Sequence, residues 1–224
     1  MENSDVLITV SEGFKQIFCN RYDVADKFHV ISNGYDGIDF EDKNNKIEIS
    51  NEIVYTGTVS NDYPLDNIIE LAKNTEVFKF KFIGSTPEEL KDLVEKEGLQ
   101  EKFIFKGTVS HAEAIKEMTQ AALLLLLVPE IPQNEGIVPG KVFEYIHAQR
   151  PILAIGSGNG DLSKIINDTK SGKLVDFSDV DGLKNLIANF EIDYTNGTLN
   201  VESIDIERFS RKALTDKLSN ILHD

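Results

Sequence analysis

One rhythm restricts the fold of this chain more than any other feature. From residue 53 almost to the end, short apolar runs, most of them closed by glycine, alternate with amphipathic stretches. The runs are "IVYTG" (53–57), "FKFKFIG" (78–84), "KFIFKG" (102–107), "ALLLLLV" (122–128), "PILAIG" (151–156) and the shorter "GKLVD" (172–176). Between them, "PLDNIIELAK" (64–73) puts Leu65, Ile68, Ile69 and Ala72 on one helical face. "TPEELKDLVEKEG" predicts a helix with Pro87 as its first residue and Gly98 at its C-cap. Further helices are expected over "SHAEAIKEM", residues 139 to 149, "DLSKIIND" and "DVDGLKNLIANF". Strand and helix in strict alternation predict an α/β domain, a parallel sheet flanked by helices. In such a sheet the carboxyl ends of all strands share one rim, and ligands bind there, where the strand order reverses. Gly57, Gly84, Gly107 and Gly156 are thus expected along one crevice, although a tight turn after each strand would explain any one of them.

Ahead of this rhythm, "VLITV" (6–10) leads into "SEGFKQIF" with Ser11 as a predicted N-cap, and "FHVIS" (28–32) ends at the turn signal Asn33-Gly34. The polar stretch "GIDFEDKNNKIEISN" that follows reads as a linker or surface loop, with a boundary near it. At the other end, "DIERFSRKALTDKLSNILHD" reads as an amphipathic helix.

Charge and cysteine usage remove several function classes. Among 224 residues, 38 acidic against 23 basic side chains leave a formal charge of −15, the wrong sign for a nucleic-acid backbone or an anionic lipid surface. Cys19 is the single cysteine, so neither an intramolecular disulfide nor a multi-cysteine zinc site can form; it is expected as a small buried hydrophobe in a reducing compartment. The amino terminus carries acidic residues where a secretory signal needs basic ones, and the leucine run is too short to cross a bilayer. No transmembrane segment and a cytoplasmic location are expected, with peripheral attachment at the inner membrane face left open for a full-length enzyme.

"GSGNGD" (156–161) has Asp161 where a dinucleotide loop needs its third glycine, and reads as a tight loop opening a helix. There is no P-loop, no G-x-S-x-G, and no histidine pair at metal-ligand spacing, so no metal is expected. "VPGKVFEYIHAQRPILAIG" (138–156) is different. A helix beginning near Pro139 would aim the amides of Gly140, Lys141 and their neighbours into the crevice, and Lys141 would add a full charge for a phosphate. Glu144 lies on the same face, about 5 Å further along, where a carboxylate can accept from two adjacent hydroxyls. Val142, Phe143 and Ile146 face the sheet. A surface Lys141–Glu144 ion pair is the competing reading of the same spacing.

"ITVSEGF", "VISNGYD", "VYTGTV", "FIG", "FKGTVSHAEAIKEM", "VPGKVFEYIHAQRPILAIG" and "SGKLVDF" occur in the order seen in the carboxyl-terminal half of GT-B glycosyltransferases, and the chain most resembles glycosyltransferase family 4. The resemblance covers nearly the whole chain. It implies a Rossmann-like domain binding a nucleotide-sugar donor, UDP- or GDP-linked, used as substrate rather than cofactor, and a retaining mechanism. By position, Glu144 resembles the glutamate that holds the donor ribose. Pro139, Gly140 and Lys141 match the diphosphate-binding helix start, with Lys141 taking charge from the leaving group. Gly107, Thr108 and Val109 match the loop whose backbone meets the base, and Gly57 and Thr58 the glycine loop near the phosphates. The implied organisation is a remnant of an amino-terminal domain and hinge over 1–34, the nucleotide-sugar domain over 35–205, and a crossover helix over 206–224.

Two departures stand out. The family's paired glutamates are eight positions apart, and eight before Glu144 is Gly136; Glu135, one residue off, is the candidate for the position near the donor sugar. After the first glycine loop, Ser60, Asn61 and Asp62 replace the usual basic residues. The resemblance implies a GT-B acceptor domain that lies outside this chain, so a truncated piece or a naturally split half that binds donor without catalysing transfer alone is expected. The expected function is the donor-binding half of a glycosyltransferase acting on a glycan or lipid-linked acceptor, in surface polysaccharide synthesis. A nucleotide-sugar epimerase using Glu135, or a non-catalytic partner-binding module, are the alternatives.

Overall fold

A computed structural model describes residues 4–37 and 48–223, so most of the expected linker falls outside the described residues. The first unit is small. β1 (Leu7–Thr9), α1 (Glu12–Cys19) and β2 (Phe28–Val30) form a parallel pair of strands with one crossover helix. Ser11 is extended and its hydroxyl accepts the Phe14 N–H at 3.2 Å, which starts α1 where the sequence indicates. Cys19, expected buried, is only half-buried at the end of this helix. None of the residues of α1 is fully buried, so the helix offers no core for a thiol to enter.

The rest of the chain builds one six-stranded, all-parallel sheet. Its strands are β3 (Glu52–Thr56), β4 (Lys79–Ile83), β5 (Phe103–Gly107), β6 (Leu123–Leu127), β7 (Ile152–Ile155) and β8 (Gly172–Val175), in the spatial order β5-β4-β3-β6-β7-β8. The chain runs outward from β3 to β5, returns to place β6 beside β3, and runs outward again. This is the doubly wound order, and its reversal lies between the carboxyl ends of β3 and β6.

Helices cover both faces. α2 (Leu65–Lys73), α3 (Glu88–Lys96) and α7 (Val180–Thr195) pack on one, and α4 (His111–Gln120), α5 (Lys141–His147) and α6 (Asp161–Thr169) on the other. The five leucines of β6 alternate between the two: Leu123, Leu125 and Leu127 join the first core, Leu124 and Leu126 the second. Each is at most 1% exposed, a burial that stabilises by about 1.5–3 kcal/mol per side chain.

Three local expectations change. Pro87 has ψ 151° and stands at the N-cap, so α3 begins at Glu88, and Gly98, with φ +67°, follows the C-cap Glu97. The helix expected over 139–149 is shorter, Lys141–His147, because Gln149 adopts φ +53° and ends it. Gly156 does not line a crevice. It is buried, and a Cβ there would stand 2.9 Å from Val128 Cγ2, so its role is packing between neighbouring strand ends.

The two units meet at a pair of crossing segments. The Tyr35 N–H donates to Phe209 O (3.1 Å) and the Arg211 N–H to Tyr35 O (3.0 Å). From there α8 (Arg211–His223) leads away, and Lys217 Nζ donates to Val30 O at 2.8 Å.

Candidate functional site

At the carboxyl rim the strand-end glycines hold one another. The Gly57 N–H donates to Ile83 O and the Gly84 N–H to Gly107 O, each at 2.7 Å, so the sheet's ladder continues past the ends of its strands. Gly84 serves this packing, since a Cβ on it would collide with Gly57 O. Gly57 and Thr58 are exposed at the switch point, and Gly57 has φ +113°, a conformation closed to other residues. Two strands away Gly107 and Thr108 are also exposed, while Val109 packs partly into the second core. At about 4.8 Å per strand, the two glycine loops stand roughly 10 Å apart along the rim.

α5 is anchored beside Gly57. Val142, Phe143, Tyr145 and Ile146 are buried in the second core. The Tyr145 hydroxyl accepts the Thr56 N–H at 2.9 Å and lies 3.2 Å from Thr56 Oγ1, fixing the helix to the last residue of β3. Burial pushes the Tyr145 phenol up to about 12, so it stays neutral. The Val142 and Phe143 amides turn back onto Pro139 O (3.0 Å) and Gly140 O (3.3 Å). Fewer amides face the crevice than a full α-helical start would offer, because this first turn closes with i→i+3 bonds.

Lys141 crosses from α5 to the end of β3. Its ammonium donates to Tyr55 Oη at 2.7 Å, lies 3.9 Å over the Tyr55 ring, and would stand 2.8 Å from a Cβ on Gly57. Tyr55 in turn donates to Thr58 O at 2.8 Å. No carboxylate lies within 4.0 Å of Lys141 among the described residues. Desolvation pulls its pKa down to about 8, with the charge of Glu144 acting weakly the other way. The Lys141–Glu144 ion pair allowed by the spacing is therefore absent. The half-buried Glu144 side chain makes no hydrogen bond or ion pair among the described residues and is left as an acceptor. A largely desolvated cation without a counter-charge, one helical turn from an unengaged carboxylate, suits a ligand with an anionic group joined to a polyol.

Glu135 lies on a separate 3-10 turn, Asn134–Gly136, and is exposed. The loop over 156–160 is held from within the fold: Asp176 Oδ2 accepts the Gly158 N–H at 2.9 Å, and the Gly158 and Ser178 N–H groups keep the Asp176 carboxyl below its ordinary range. After Gly57, Asp62 O accepts the Glu130 N–H at 2.7 Å, which ties the loop lacking basic residues to the loop after β6. Tyr55, Thr56, Tyr145 and Asn33 complete the surroundings. Asn33 Nδ2 stands 3.7 Å from where a Cβ on Gly140 would be. The sequence signal for Tyr55 is a phenol directly after the apolar Ile53 and Val54, whose hydroxyl must find a partner once buried; Asn33 reads in the sequence only as a turn residue.

A model of the family described as glycosyl transferases group 1 matches residues 37–202. The chain belongs to that family. No curated protein matches it significantly. Among solved structures, the group 1 domain is similar to HepE of Anabaena in complex with UDP, with a TM-score of 0.76 and 16% identity over 98% of this chain and 64% of that one. It is also similar to sucrose-phosphate synthase from Thermosynechococcus elongatus, with a TM-score of 0.74 and 16% identity over 99% of this chain and 58% of that one. The lipopolysaccharide outer core galactosyltransferase WaaB gives 0.71 and 16% over 98% and 62%. At such identities the likeness establishes the fold, a GT-B carboxyl-terminal half, and this chain spans only about three fifths of each of those chains. Among the described residues, no helix is long and apolar enough to cross a membrane, and no group of three His, Cys, Asp or Glu could hold a metal ion.

Proposed function

We propose that this chain is the donor-binding half of a retaining glycosyltransferase. It takes a nucleoside-diphosphate sugar, UDP- or GDP-linked, at the switch point of its sheet. The sugar goes to a glycan or lipid-linked acceptor held by an amino-terminal acceptor domain, in surface polysaccharide synthesis. The supporting observation is Lys141: a largely desolvated ammonium with no carboxylate in salt-bridge contact among the described residues, set beside the exposed Gly57 loop. On this reading the diphosphate supplies the missing counter-charge. In the transfer step, negative charge grows on the leaving diphosphate, and a fixed cation that is poorly solvated stabilises it more than water would. Glu144 holds the ribose hydroxyls, the backbone of Gly107, Thr108 and Val109 meets the base, and Glu135 faces the donor sugar. HepE is solved with UDP-glucose as well as UDP, which makes UDP the first nucleotide to try.

Thermal unfolding in the presence of UDP, GDP, ADP and CDP tests the reading. A nucleotide at about a hundred times its dissociation constant adds roughly 2.7 kcal/mol to folding stability. At least one is expected to raise the midpoint. A flat response to all four contradicts the donor-site reading and favours a non-catalytic module.

A further inference from the structure

The turn that carries Glu135 is held from outside the six-stranded domain. Ser11, 4% exposed, donates its hydroxyl proton to Gly136 O at 2.7 Å while accepting the Phe14 N–H. Two residues on, the Gly13 N–H donates at 2.6 Å to Asp161 Oδ2, a carboxylate 8% exposed at the first residue of α6, whose other oxygen lies 3.1 Å from Lys164 Nζ. The start of α1 is therefore bonded to both the turn and α6. The packing is equally close. A Cβ on Gly13 would stand 2.5 Å from Gly136 Cα, and one on Gly160 3.0 Å from Glu135 O.

Sequence distance makes the arrangement informative. Ser11 and Gly136 are 125 residues apart, and Gly13 and Asp161 148. Within its own domain, the turn is reached by the Asn134 amide donating to Pro129 O at 3.2 Å and by the backbone of Gly160. Gln133, immediately before it, sits at φ +63°. Ile137 and Val138, just after the turn, pack against the second core, so a turn entered through a left-handed residue is held between its own domain and α1, which claims its carbonyl through Ser11.

We propose that Ser11 and Asp161 are positioning residues: through the start of α1 they set the Glu135 turn against the sugar end of the donor site, so that the small amino-terminal unit controls how the donor's sugar is held. This rests on the donor-site reading above, and specifically on Glu135 facing the sugar. Ser11 touches the turn and not the donor. Its removal acts on the sugar and leaves the nucleotide alone.

Calorimetric titration with UDP and with UDP-glucose separates these effects: UDP carries one more ionisable phosphate oxygen than UDP-glucose, a difference common to wild type and variant, so the change in the ratio of the two affinities on substitution reports on the glucosyl group. Ser11→Ala is expected to cut the preference for UDP-glucose roughly 3- to 10-fold, the worth of about one hydrogen bond, with UDP affinity unchanged and Ser11→Thr restoring the preference. Glu135→Gln should cut it by a similar factor, and the double variant by no more than the larger single effect, since both act at one contact. Asp161→Asn, which keeps an acceptor for Gly13, tests the second bond should Ser11→Ala fold poorly, and is expected to move the ratio in the same direction. Equal losses for UDP and UDP-glucose, or additive effects of Ser11→Ala and Glu135→Gln, overturn the positioning role while the donor site stands. Wild-type protein binding neither UDP nor GDP removes the donor site itself, and this inference with it.

Discussion

The Lys141 ammonium lies 3.9 Å over the ring of Tyr55 and 2.7 Å from its hydroxyl, so a cation from one helix is lodged on a buried strand residue with no carboxylate in salt-bridge contact among the described residues. Cation–ring attraction and one hydrogen bond to a neutral phenol offset only part of the desolvation cost. In the free protein the contact is a compromise that a phosphate would relieve.

Replacing the lysine should therefore separate stability from binding. Lys141→Met keeps the length of the side chain and removes the charge. The unliganded variant is expected to be as stable as wild type or up to about 1 kcal/mol more stable, because a poorly solvated charge has been replaced by an apolar group. The nucleotide-induced rise in unfolding midpoint should disappear. Paired thermal scans with and without UDP or GDP check both halves.

The depressed pKa gives this residue a pH signature. Its ammonium titrates near 8 in the fold against 10.5 in the unfolded chain. Between those values the unfolded chain binds more protons, so the contribution of Lys141 to stability rises with pH from about 8 to 10.5 and is least favourable below 8. A diphosphate bound beside Lys141 would favour the charged form and draw the pKa back up. UDP-glucose carries no phosphate proton that titrates in this range, so its binding near pH 8, below the ionisation of the uracil N3–H, is expected to take up a proton. Titration calorimetry in buffers of different ionisation enthalpy reads the uptake directly, and Lys141→Met should abolish it.

Gly57 protects the same contact. Alanine there would be forced into φ +113° with its Cβ 2.8 Å from Lys141 Nζ. Gly57→Ala is expected to cost more than about 1 kcal/mol of stability and to weaken nucleotide binding by displacing the ammonium. Chemical denaturation and calorimetry check the two effects.

On the proposed reading Glu144 acts on the ribose and not on the phosphate. Glu144→Ala should bring the affinities of UDP and 2′-deoxy-UDP together, whereas wild type should prefer the ribonucleotide by roughly 10- to 150-fold, the worth of one hydrogen bond to a charged group. The difference between the two titrations decides it; a preference that survives the substitution takes Glu144 off the ribose.

Much of this was legible in the sequence, and what was hidden has a physical reason in each case. The glycine-ended apolar runs show the parallel sheet because a doubly covered strand needs continuous apolar residues and a tight exit. "ALLLLLV" became the interior strand beside the switch point for that reason. Lys141 and Glu144 stood out because helical spacing shows which residues share a face. Whether they pair with each other depends on Tyr55, which sits 86 positions from Lys141 and draws the ammonium away. Gly156 resembled its neighbours, yet Val128 from the adjacent strand covers it, and such lateral packing leaves no local pattern. The contacts of Gly13 and Ser11 with Gly136 are invisible for the same reason: two glycines in separate units meet only once the chain is folded.

The most direct measurement is a crystal structure of the chain soaked with the nucleoside diphosphate that stabilises it most. Phosphate oxygens are expected within hydrogen-bond reach of Lys141 Nζ beside Gly57, with the ribose hydroxyls on Glu144 and the base along Gly107 to Val109. A nucleotide bound elsewhere, with the Lys141 ammonium still seated on Tyr55 and no anion beside it, would contradict the donor-site reading.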